Sequence, residues 1–169
     1  MVRNVHERRL PVPAATAGTL LDSLAGPEDR LWPRRTWPAM RFDRPLGVGA
    51  TGGHGPVRYS VEEYVPGRRV RFRFHGPAGF DGYHEFEVLP EDDTACRLRH
   101  SLVMTTHWPA WLTWPLFFRP LHDALIEDSF DTATRNLGLP LPAPRRWSVW
   151  VRVLRALAQA ARPRARRAG

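Results

Sequence analysis

Apolar and polar residues alternate over four stretches in the middle of the chain. Val57, Tyr59 and Val61 alternate with Arg58, Ser60 and Glu62, and Val70, Phe72 and Phe74 with Arg69, Arg71 and Arg73. His84, Phe86 and Val88 then alternate with Tyr83, Glu85 and Glu87, and Cys96, Leu98, His100, Leu102 and Met104 with Arg97, Arg99 and Ser101. A period of two puts successive side chains on opposite faces of a strand. Turn residues at Pro66-Gly67, Gly76–Gly82 and Glu91-Asp92-Asp93 separate the stretches, which predicts an antiparallel meander. A two-residue turn at Pro66-Gly67 pairs Val61 with Phe72 and Glu62 with Arg71. Loops centred on Gly79 and Asp92 then pair Phe72 with Phe86 and Phe86 with Leu98. One face carries the rows Val61–Phe72–Phe86–Leu98 and Tyr59–Phe74–His84–His100, and the last strand adds Leu102 and Met104. The other carries Glu62–Arg71–Glu87–Arg97 and Ser60–Arg73–Glu85–Arg99, where opposite charges meet at nearly every step. This predicts a solvated sheet face and not a nucleic-acid surface.

The flanks complete an α+β pattern. Residues 2–10 read as a strand ended by Pro11 and Pro13. Ala17, Leu20, Leu21 and Leu24 recur at helical spacing over Ala14–Leu24, with Gly26 as a stop. Pro27, Glu28 and Asp29 suit the first turn of a second short helix ending near Trp32. Arg34–Pro56 is rich in Gly and Pro and is predicted to be irregular, with a short strand near Met40–Phe42. A long helix is expected from Pro120 to about Asn136, stopped by Gly138. Its stripe Asp123, Glu127, Asp131 and Arg135 is expected to face water, with Leu121, Leu125 and Thr132 toward the sheet.

Composition narrows the chemistry. All 25 basic residues of the 169 are arginine, so a lysine Schiff base or P-loop lysine is excluded. A single cysteine, Cys96, rules out an internal disulfide framework or multi-cysteine zinc site, and it is expected to be a buried, inert thiol. The formal charge of +8 is unevenly placed. Residues 1–142 balance arginines against the 17 acids, and residues 143–169 hold arginines and no acid. Neither a secretory signal nor a run long enough to span a bilayer is seen, so a cytoplasmic location is expected.

Several segments together resemble one superfamily. Val12-Pro13-Ala14 leads to Leu20-Leu21-Asp22 and Leu31-Trp32. Gly53-His54-Gly55-Pro56-Val57-Arg58-Tyr59, Pro66-Gly67-Arg68-Arg69-Val70-Arg71-Phe72 and Pro120-Leu121-His122-Asp123-Ala124-Leu125 follow. In that order they resemble an uncharacterised bacterial branch of the START-type helix-grip superfamily, also labelled SRPBCC or polyketide cyclase/dehydrase-like, over about residues 1–140. The resemblance implies a curved antiparallel sheet wrapped around a long C-terminal helix, with two short helices after the first strand. It further implies an internal cavity for a lipid, polyketide or quinone-like molecule. Some branches only bind or carry such ligands, and others are cyclase/aromatase-type enzymes. No cofactor is implied.

The inward-facing residues are the candidate ligand contacts: Tyr59, Val61, Phe72, Phe74, His84, Phe86, Leu98, His100, Leu102 and Met104 from the strands, with His122 and Leu125 from the helix. His84 and His100 interrupt an apolar face and are expected directly opposite one another. They are core histidines satisfied by each other, by Tyr59 or by water; or the polar anchor of a ligand; or acid/base catalysts. His122 is read as a rim, capping or surface residue, and His54 as a loop or lid residue. No histidine lies four residues from another, so no metal site is expected. Trp32, Trp37, Trp108 and Trp114 each precede proline, either packing at loop junctions or ringing the mouth of the cup.

Residues 141–169 form a separate tail: a hinge at Pro140, Pro142 and Pro144, then a helix from Trp147 to Ala161 ended by Pro163. Ser148, Arg152, Arg155, Gln159, Arg162 and Arg166 trace its polar stripe. Trp147, Trp150, Arg152 and Arg155 are candidate contacts to an anionic membrane. Docking on the domain itself or on a partner chain is the alternative, then non-specific nucleic-acid binding by the arginine cluster. No specific nucleic-acid partner is expected.

Overall fold

A computed structural model describes residues 1–141 and 146–160. Seven strands form one antiparallel sheet: β1 (Val2–Leu10), β2 (Arg41–Phe42), β3 (Thr51–His54), β4 (Val57–Val65), β5 (Arg69–Gly76), β6 (Phe80–Pro90) and β7 (Cys96–Thr106). Their order is β1-β7-β6-β5-β4-β3-β2, so the first strand closes against the last. Helix α1 (Ala14–Asp22) follows β1, the short α2 (Ala110–Thr113) runs through a π turn at Trp114–Phe118 into α3 (Arg119–Asn136), and α4 (Val149–Ala160) follows.

The alternating residues sort to the expected faces. Tyr59, Val61, Val70, Phe72, Phe86, Leu98 and the Cys96 thiol are buried with Leu125, Ile126 and Phe130 of α3. The convex face is a lattice of ion pairs, including Arg71 with Glu85 (2.8 Å), Arg73 with Glu62 (2.8 Å) and Arg97 with Glu91 (2.6 Å). Glu85 is buried, but the other two pairs are largely exposed, and exposed pairs contribute about 0–1 kcal/mol each, so these favour one register more than they stabilise the fold.

The register itself differs from the expectation in physically specific ways. Val61 does pair with Phe72, but a bulge puts Glu63, not Glu62, opposite Arg71. The next turn takes only Pro77, Ala78 and Gly79, so Phe72 faces His84 in place of Phe86. A Cβ on Gly79 would meet the His107 carbonyl oxygen at 2.5 Å, so the loop closes tightly only with glycine there. The following loop takes five residues because the Asp92 carboxylate accepts from the Thr94 amide and hydroxyl (2.7 and 2.8 Å), while the Glu91 and Asp92 amides donate to the Ala95 carbonyl. Phe86 therefore faces His100, and Leu98 faces Val88. The slips at these two loops are each by two residues, which leaves the side chains of β5, β6 and β7 on their faces; the bulge shifts β4 by one from Glu63 onward.

Two other expectations are corrected. The second short helix after the first strand is absent; Asp29 instead accepts amide hydrogen bonds from Ala25, Leu31 and Trp32 (2.8–3.0 Å), closing a turn where a helix would have needed those donors. Residues 34–56 are not wholly irregular either: Gly52 and Gly53 lie in β3, where a Cβ would strike the backbone of Arg41 or Val57 within 2.0 Å. Glycine thus builds the narrow sheet edge that it ordinarily weakens.

The acidic stripe of α3 does not face water. It faces β1, whose inward side chains are polar. Asn4 donates to Asp123 (2.9 Å), His6 contacts Asp123 and Glu127 (3.2 and 2.9 Å), and Arg8 bridges Glu127 (3.0 Å) and Asp131. The charges that suit solvent on an isolated helix find cations on a strand more than a hundred residues away.

Candidate functional site

The sheet and α3 enclose a cavity of about 370 Å³, within the range of small-molecule sites. Its wall is largely aromatic and aliphatic. Phe74, Phe80 and Leu102 come from the sheet, Leu121, Leu125 and Ile126 from α3, and Trp32, Trp37 and Trp114 from the connections. Of the expected contacts, Phe74, His84, His100, Leu102, His122 and Leu125 line the cavity. Tyr59, Val61, Phe72, Phe86, Leu98 and Met104 are buried behind it as packing. Three of the four Trp-Pro tryptophans reach the wall; Trp108 is 70% exposed and packs beside Trp111.

His84 and His100 are diagonal neighbours, since His84 faces Leu102 across the ladder and His100 faces Phe86. Their rings still meet, with His84 Nδ1 3.3 Å from His100 Nε2. Phe72 stacks on His84 at 4.8 Å and Phe86 packs edge-on to His100 at 4.6 Å, which fixes both rings. Burial, reinforced by the neighbouring histidines, holds both well below the usual imidazole range, so both are neutral. One nitrogen of each is used within the pair. The other two, His84 Nε2 and His100 Nδ1, are buried without a partner, as is His122 Nε2. Whichever ring donates, the pair presents one donor and one acceptor at its free ends. Transfer of the shared proton, with one proton taken up at the free acceptor and one released at the free donor, would swap them.

His54 carries more of the site than its glycine-flanked sequence suggested. It lies on β3 in the cavity wall, its Nδ1 3.0 Å from the Tyr59 hydroxyl and its ring 4.7 Å from Trp32. Burial lowers it to about 3. Burial likewise raises Tyr59, which keeps its proton. His122 packs 5.0 Å from His100 and 5.7 Å from Trp114, and burial lowers it despite Asp123 beside it. The four histidines of the lining are thus neutral at neutral pH, and its charge comes from Arg34, Arg35 and Arg155.

Helix α4 closes one side. Val151 and Leu154 are buried, and Ala158 and Gln159 reach the cavity rim. The Arg155 guanidinium lies between the faces of Trp37 and Trp147, 4.1 and 4.0 Å from their centroids, and donates to the Thr36 carbonyl. Both indole N–H groups donate to Asp128 Oδ2 (2.7 and 3.1 Å). Trp147 and Arg155, expected at a membrane, therefore make contacts within the chain; Trp150 is exposed although its indole N–H donates to the Leu116 carbonyl (2.8 Å), and Arg152 is exposed. Pro142, Pro144, Arg162, Pro163 and Arg166 of the expected hinge and tail lie outside the described residues.

No protein-family model and no curated protein matches the chain. Solved structures do. A START superfamily protein from Mycobacterium smegmatis aligns over 80% of this chain and 97% of its own, with a TM-score of 0.57 and 9% identity. The fold is the START-type helix grip. Norcoclaurine synthase from Thalictrum flavum, solved as a point mutant with a transition-state analogue, shares it at a TM-score of 0.59 and 15% identity, over 80% of this chain and 94% of its own. CalU16 from Micromonospora echinospora aligns over 94% of this chain and 84% of its own, with a TM-score of 0.54 and 17% identity. Among the described residues, no helix is long and apolar enough to cross a membrane.

Proposed function

We propose that this protein binds and carries a flat hydrophobic small molecule bearing one hydroxyl or carbonyl group. The ligand is lipid, polyketide or quinone-like. The supporting observation is the set of unpartnered nitrogens of His84, His100 and His122 in a cavity lined largely by aromatic and aliphatic side chains. Buried polar atoms without partners cost about 1–3 kcal/mol each. A ligand hydroxyl supplies the missing partner while its rings fill the aromatic wall. Neutral histidines favour an uncharged ligand. Native mass spectrometry of the purified chain tests this: a bound small molecule is expected, and Leu125→Trp, which fills the cavity, should remove it. A ligand retained by folded Leu125→Trp would contradict the site.

A second reading is an enzyme of the cyclase/aromatase type, supported by the proton shared between His84 and His100. Such a pair accepts a proton at one end as it releases one at the other. Consumption of a bound polyketide-like substrate, lost in His84→Phe, would favour catalysis; unchanged release would favour carriage.

For the tail, we propose peripheral contact with anionic membrane through the outward face of α4 and the neighbouring α2 region. Trp111, Leu116, Phe117, Trp150 and Leu157 are exposed there, with Arg152 beside them. Sedimentation with anionic but not neutral liposomes is expected, and equal recovery with both would refute it.

A further inference from the structure

The polar cluster between β1 and α3 shares His122 with the proposed ligand site, through the other nitrogen of its ring. We propose that His6, His122 and Asp123 form a binding site for a divalent transition-metal ion of the zinc class. Asp123 Oδ1 is the meeting point: His6 Nε2 lies 3.2 Å away and His122 Nδ1 3.5 Å away. One donor atom from each residue lies within 4.8 Å of the other two. Zinc–nitrogen and zinc–oxygen bonds of about 2.0–2.2 Å place neighbouring donors of a tetrahedron about 3.4 Å apart. The two shorter separations already match that edge.

Two further observations support the assignment. His6 Nδ1, the nitrogen turned away from Asp123, lies 2.9 Å from Glu127 Oε1. A carboxylate on the far nitrogen holds a ligating imidazole in the right tautomer and orientation. Asn4 donates to the same Asp123 oxygen at 2.9 Å, yet its own amide oxygen is buried and unpartnered. Two imidazoles and a carboxylate suit zinc, cobalt or nickel, whereas calcium and magnesium prefer all-oxygen shells. Three protein donors leave a fourth position open. With Nδ1 on the ion, His122 keeps its proton on Nε2, so the ion would also fix a hydrogen-bond donor in the cavity wall.

The untagged 169-residue chain, treated with chelator and dialysed, is titrated with zinc chloride by calorimetry and with cobalt chloride by visible absorption. One equivalent of zinc is expected, with the intense visible bands of tetrahedral cobalt. His6→Gln and Asp123→Asn should each weaken zinc binding at least a hundredfold, and Glu127→Gln about 10–100-fold. Replacing the exposed His75 and His107 by alanine should leave it within twofold. Circular dichroism establishes that each variant is folded; if His6→Gln is not, Asp123→Asn and His122→Phe carry the comparison. No zinc binding by the native chain at micromolar concentration would overturn the site. So would one-equivalent binding that persists in folded Asp123→Asn, since a proton shared between His6 and the carboxylates would then account for the cluster.

Discussion

Replacing Arg155 by glutamine should loosen α4 without unfolding the sheet. The guanidinium is half-buried between Trp37 and Trp147, at 4.1 and 4.0 Å from the two ring centroids. A cation over one aromatic face contributes about 0.5–1 kcal/mol at a partly solvated site, so two faces give about 1–2 kcal/mol. Glutamine keeps a polar stem but removes the cation from both. A 12-residue helix is marginal alone in water, so α4 owes its order to docking, and undocking should also unwind it. About 1–2 kcal/mol corresponds to a roughly 5–30-fold rise in the undocked population. Native-state hydrogen exchange reads this directly. Amides of residues 151–157 should exchange faster by that factor, while amides of β6 and β7 keep their rates. Unchanged exchange in α4 would refute the stacking argument. An equal acceleration throughout the sheet would show that α4 is not a separately docking element.

Two further outcomes follow from the core. His54 is held near 3 by burial, against about 6.5 in an unfolded chain, so the unfolded state binds more protons between those values. Stability is therefore full above pH 6.5 and falls as the pH drops, by about 1.4 kcal/mol per unit from this group. Urea unfolding at pH 7.5, 6 and 5 should show a shallower decline in His54→Gln than in the native chain, and identical slopes would contradict the burial of a neutral His54. Gly18→Ala places a Cβ 2.4 Å from the Gly67 carbonyl oxygen, backbone that cannot swing aside, and should destabilise by about 1–3 kcal/mol. A midpoint of thermal unfolding unchanged by that substitution would show that α1 does not pack on this turn.

The local part of the fold was legible in the sequence, and the non-local part was not. Strict alternation assigned Tyr59, Phe72, Phe86 and Leu98 to the inner face because a period of two survives any slip by an even number of residues. The actual pairings depended on side-chain closures such as Asp92 with Thr94, which alternation does not encode. The acidic stripe of α3 is not legible as a buried one, because i,i+4 carboxylates alone look like a solvated helix face. Its partners Asn4, His6 and Arg8 alternate along β1, and their match to Asp123, Glu127 and Asp131 was the signal available. Gly53 and Gly55 around His54 suggest a loop, yet Gly52 and Gly53 let neighbouring strand backbones close beside it. Trp147 and Arg155 fitted a membrane helix by composition; the aromatic face that receives Arg155 comes partly from Trp37, far away in the chain.

The central claim is that neutral cavity histidines recognise one polar group on a flat apolar ligand. The most direct test compares 1-naphthol with naphthalene, which differ by one hydroxyl, in binding to the native chain and to the His84→Phe/His100→Phe variant at pH 7.5. A hydrogen bond satisfying an otherwise unpartnered buried nitrogen should favour naphthol by about tenfold, or roughly 1.4 kcal/mol. That preference should fall to near unity in the double variant while naphthalene still binds. Equal affinity of the native chain for the two compounds, or a naphthol preference undiminished in the folded double variant, would contradict it.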